Sequence, residues 1–63
     1  MASYMDSVTA TPTQIKATRL NAGLSVVAMA ALMGVSRQTV HSWENGNHPI
    51  NPRDWAYMLS KVA

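Results

Sequence analysis

The stretch "GVSRQTVHSWENG", Gly34 to Gly46, gathers the side chains best equipped to recognise something outside the protein. Arg37, Gln38, His41 and Ser42 interleave with Val40 and Trp43 along it. An arginine such as Arg37 donates two parallel hydrogen bonds to guanine O6 and N7, and a glutamine such as Gln38 pairs with adenine N6 and N7. His41 and Ser42, one turn further on, add base or phosphate contacts. Ser25, Ser36, Thr39, Asn45, Asn47 and His48 supply hydrogen-bonding groups of the kind that hold nucleic-acid phosphates.

Other chemistries find less support. His41 and His48 have no cysteine partner and no acidic cluster beside them, so no metal is expected. No nucleophile–base–acid set and no glycine-rich phosphate loop is present, so neither an enzyme, a cofactor nor a small-molecule ligand is expected. Sixty-three residues allow one domain with one small core. The absence of cysteine removes disulfides as staples and is compatible with a reducing cytoplasm, where the protein is expected to reside. The longest apolar run, Val26 to Met33, is too short to span a bilayer. Five Lys and Arg against three Asp and Glu permit a nucleic-acid partner without demanding one.

Clear punctuation divides the chain into four short helices, and the expected fold class is all-α. Thr11, Pro12 and Gln14 form a capping-box signal for a first helix from Pro12 to about Ala22, stopped at Gly23. Ser25 caps a second, Val26 to Met33, ended by Gly34. Ser36 caps a third, ending near Asn45 before Gly46. Asn51 and Pro52 open a fourth, to about Val62, with Asp54 in its first turn where the helix dipole favours an acid. Leu24 with Met29, Val35 with Val40 and Ile50 with Trp55 occupy hydrophobic-staple positions, which would fix the angle at which the chain enters each helix.

Only "MGVS" separates the second and third helices, so they must turn sharply against each other. At about 100° per residue, Val26, Met29, Ala30 and Met33 share one face of the second. Ala30 is small where a close crossing needs a small residue, Gly34 supplies the turn, and Val40 with Trp43 turns the third helix's inner face to the core. Gln38, His41, Ser42 and Asn45 then point outward, with Arg37 at the flank. That is a helix-turn-helix pattern, whose second helix enters the DNA major groove. The first ten residues carry no Lys or Arg and read as a flexible arm ill suited to the minor groove, with Tyr4 and Met5 available to dock on apolar surface. Residues 11–63 form the domain.

From Gln14 to about Lys61 the sequence resembles the Cro/C1-type, lambda-repressor-like helix-turn-helix family. The matching residues are "RLNAGLS", then Ala30 followed by "GVSRQTV", then "WENG". The resemblance implies a small repressor from a phage or mobile element that binds double-stranded operator DNA as a homodimer. It implies an ion pair between Arg19 and Glu44, and base reading by Arg37, Gln38 and Ser42. Two departures stand out. Many relatives carry a phosphate-contacting glutamine where this chain has Val26, and most have a fifth helix, often used in dimerisation, where this chain reads as four.

The second helix also supports a different class of function. No charged residue lies between Val26 and Val35, and Val27, Ala31 and Leu32 fall off the expected core face. A short helix that is apolar all round is usually covered by another surface. Val27 and Leu32 would then meet a second subunit or the N-terminal arm, or the chain would act as a protein-interaction module such as an antitoxin or anti-repressor.

Overall fold

Each helix of the computed structural model begins where the sequence supplies a cap. The structure describes residues 10–62, and among them it contains four helices and no strand: α1 (Pro12–Asn21), α2 (Val26–Met33), α3 (Arg37–Asn45) and α4 (Pro52–Val62). The all-α expectation holds. The Thr11 hydroxyl accepts the Gln14 N–H at 3.1 Å while Gln14 Oε1 accepts the Thr11 N–H at 2.9 Å, a complete capping box. Ser25 accepts from Ala28 N at 3.0 Å, Ser36 from Thr39 N at 3.1 Å and Asn51 from Asp54 N at 2.8 Å. Each of these satisfies a backbone donor that the first turn of a helix leaves unpaired.

The turn between α2 and α3 depends on Gly34, whose φ of 70° lies in the left-handed region that a Cβ makes costly. Its N–H and that of Val35 return to the carbonyls of Ala30 and Ala31, closing the end of α2 before α3 begins.

Ala10, Ile15, Met29, Ala30, Val40, Trp43, Ile50 and Met58 make the core. Leu24, Val26, Met33, Val35 and Trp55 pack against it from the side, so both partners at every staple position reach the core. Helix α3 packs on α2 and α1, and α4 closes the far side against the same two helices.

Two placements differ from the sequence expectation. Leu32, expected off the core face, is half-buried and packs against the core. It follows Met29 by three residues, so it flanks the buried stripe instead of opposing it. Ala10, assigned to the arm, is buried at 7 % exposure as part of the core. The rest of the arm, with Tyr4 and Met5, lies outside the described residues.

Candidate nucleic-acid interface

A helix can read an external surface only if its own frame is fixed, and α3 is fixed from behind. Val40 is fully buried and Trp43 is 5 % exposed. Beside them Glu44 carries a bidentate ion pair to α1: Arg19 Nε donates to Oε2 at 2.7 Å and Nη2 to Oε1 at 3.0 Å. Arg19 Nη1 donates to the Leu24 carbonyl at 3.0 Å, and the Leu24 N–H returns to the Arg19 carbonyl at 3.1 Å. One guanidinium thus ties α1, the entry to α2 and α3 together. The hydrogen bond to Glu44 is the main force holding the Arg19 proton more tightly than usual, against the opposing effect of burial and with help from the carboxylate's charge.

The opposite side of α3 is open. Arg37, Gln38, His41 and Asn45 are exposed, and Ser42 and Thr39 are half-buried at the edge of that face. Two shallow depressions flank it. One, of about 600 Å³, is lined by Ser36, Arg37, Gln38 and His41. The other, of about 380 Å³, is lined by Ser36, Gln38, Thr39, Ser42, the edge of Trp43 and His48. His48 reaches this second depression because the chain folds back after α3. The N–H groups of Gly46, Asn47 and His48 all donate to the Ser42 carbonyl, the last two at 3.0 and 3.3 Å. Gly46, at φ 82°, provides that reversal.

The structure therefore brings seven of the sequence candidates together: Arg37, Gln38, His41 and Ser42 with Ser36, Thr39 and His48. Asn45 lies on the same outward face, while Ser25, at the start of α2, and Asn47 line neither depression. Ser36 and Thr39 carry a contact that spacing did not reveal, since their hydroxyls bond each other at 2.9 Å. One hydroxyl proton of the pair stays available for an outside acceptor. The Leu24 carbonyl is a further participant that only the folded arrangement discloses. Val27 is 57 % exposed on α2. Among the described residues no group of three or more His, Asp or Glu side chains is placed to hold a metal, and no helix is long and apolar enough to cross a membrane.

A family model described as a helix-turn-helix domain matches residues 13–61. The chain belongs to the helix-turn-helix domain family. A search of the curated proteins found no match. The matched span contains α2, the Gly34 turn and α3, and a helix-turn-helix is a DNA-binding element. Membership covers all four helices but for the first residue of α1 and the last of α4.

Proposed function

We propose that this helix-turn-helix protein is a sequence-specific, double-stranded-DNA-binding transcriptional regulator of the Cro/C1 type, acting as a repressor by occupying its operator. One observation carries the reading: Gln38 and His41 stand exposed on the side of α3 turned away from Val40 and Trp43, which are locked in the core, with Arg37 exposed at the flank of that face. Arg37 and Gln38 have the bidentate geometry for guanine and adenine edges, and His41 and Ser42 add base or phosphate contacts one turn further on. Ser36, Thr39 and His48 hold phosphate at one side, with Ser25, Asn45 and Asn47 as further backbone contacts. The Ser25 hydroxyl accepts a backbone N–H as a cap, which leaves its own proton free to donate to phosphate.

One recognition helix covers few base pairs, so the protein acts as a homodimer on two half-sites. A phage or mobile-element operon in a bacterial cytoplasm fits the resemblance of "GVSRQTV" and "WENG" to repressors of that type. The test is binding to the duplex immediately upstream of its own gene against a scrambled duplex. Preference by about 10³ or more supports the reading, and equal binding that salt abolishes contradicts it.

A second reading rests on Val27, a large apolar side chain left 57 % exposed on a helix without charge. It makes α2 the binding surface of an antitoxin or anti-repressor. That function would show a tight protein complex and weak, sequence-indifferent DNA binding.

A further inference from the structure

Most of the permanent positive charges of this domain lie away from the depressions beside α3. Of the five lysines and arginines, Arg19 is committed to Glu44 and the Leu24 carbonyl, with a side chain only 10 % exposed. Lys61 sits 5.3 Å over the Tyr57 ring in the last turn of α4. Lys16 on α1 and Arg53 on α4 line neither depression beside α3. Arg37 is therefore the one permanent cation among the residues that line them. The remaining ionisable side chains there are His41, in the Arg37 depression, and His48, in the depression with Ser36, Thr39 and Ser42.

No described carboxylate lines either depression to hold an imidazolium. Glu44 is enclosed by Arg19, and Asp54 accepts from the Asn51 side chain at 3.1 Å. The elements packed on α3 add Lys16 and Arg19 from α1 and no ionisable group from α2. Helix α4, behind them, holds Arg53, Asp54, Tyr57 and Lys61. Within the free protein the two exposed imidazoles thus face hydroxyls, an amide and a cation. A duplex backbone laid on this face would bring the anions that a protonated ring lacks there. Imidazoles exchange their proton between about pH 5 and 8, so the missing charge can be supplied by solvent.

We propose that His41 and His48 take up protons from solvent as duplex phosphates dock on the α3 face, so that the electrostatic hold on DNA tightens as pH falls. The inference rests on the DNA-binding reading of α3 and adds a linked proton to it. Each phosphate neutralised contributes about 0.9 to the slope of log affinity against log salt. Two protonated imidazoles therefore steepen that slope by up to about 1.8 per protomer.

The experiment measures affinity for a fluorescent duplex of scrambled sequence over a salt series, at about pH 8 and about pH 5.5, with far-UV circular dichroism confirming the fold at both. Sequence preference plays no part in it. The expected result is the stated steepening at the lower pH, with His41→Gln and His48→Gln each removing about half. Calorimetry in two buffers of different ionisation enthalpy should register proton uptake on binding. A duplex bound with the same salt slope at both pH values overturns the inference and leaves the DNA-binding reading standing. Steepening that survives in the double histidine variant overturns the assignment to these residues. Failure to bind duplex at either pH overturns both.

Discussion

Replacing Glu44 by alanine removes one carboxylate and strands one guanidinium. Arg19 would lose the acceptors of two charge-assisted hydrogen bonds, at 2.7 and 3.0 Å, and keep only the Leu24 carbonyl. Bonds of this kind contribute about 1.5–3 kcal/mol each, and breaking a buried pair from one side costs about 3–5 kcal/mol in all. The side chains are 10 % and 7 % exposed, so the pair counts as largely buried and water would only partly replace the lost partner. A chain of 63 residues has a total stability of only about 3–9 kcal/mol. Urea denaturation followed by circular dichroism and tryptophan fluorescence should thus show Glu44→Ala to have lost about 3–5 kcal/mol, between about a third and all of that stability. The double variant Arg19→Met, Glu44→Leu removes both charges and should recover most of the loss, short of about 1 kcal/mol for the unpaired Leu24 carbonyl. A cost below about 1 kcal/mol for Glu44→Ala would show that the pair behaves as an exposed one and would refute this reasoning. The pH dependence has a definite sign. Because the Arg19 proton is held more tightly in the folded state, its contribution is complete below the ordinary arginine range and is lost only as strong alkali removes that proton.

Three other perturbations separate local from global effects. Gly46→Ala places a Cβ at φ 82°, 3.5 Å from Pro12 Cγ, which is ordinary contact. The expected cost is therefore backbone strain alone, about 1–2 kcal/mol by urea denaturation, with Gly46→Asn milder. Thr11→Ala removes the hydroxyl that caps α1 and should cost about 1 kcal/mol in the same assay; no change would mean that the box is redundant. Val27→Lys, at a side chain 57 % exposed, should leave stability within about 0.5 kcal/mol. Sedimentation then decides its other role: a shift towards monomer supports a dimer built on α2, and an unchanged mass removes that idea.

The helix boundaries were legible because their signals are local. Thr11 with Gln14, Ser25, Ser36 and Asn51 each sit three residues before the backbone N–H they cap, and Gly34 and Gly46 mark stops that demand positive φ. The division of α3 into an inner Val40–Trp43 side and an outer Arg37–Gln38–His41 side was legible for the same reason, since polar and apolar residues alternate at helical spacing. Helix α2 offered no such contrast. Apolar on every side, it leaves its rotation to tertiary packing, and the structure turns Leu32 inward while Val27 stays out. The Arg19 contact to the Leu24 carbonyl and the burial of Ala10 depend on how distant elements meet, which no local pattern records. His48 shows both sides of the limit. Its type marked it as a phosphate contact, but its place beside Ser36, Thr39 and Ser42 depends on the fold-back onto the Ser42 carbonyl.

The central claim is that α3 reads bases through Arg37, and a missing-contact experiment tests it most directly. A preferred duplex is selected from a random pool with the wild-type protein, and each guanine of the half-site is then replaced in turn. Wild type should lose about 1–3 kcal/mol at one guanine, and Arg37→Ala should bind the replaced and original duplexes equally while keeping its discrimination elsewhere. If Arg37→Ala still distinguishes every guanine as wild type does, α3 is not the reading helix and the account fails at its centre.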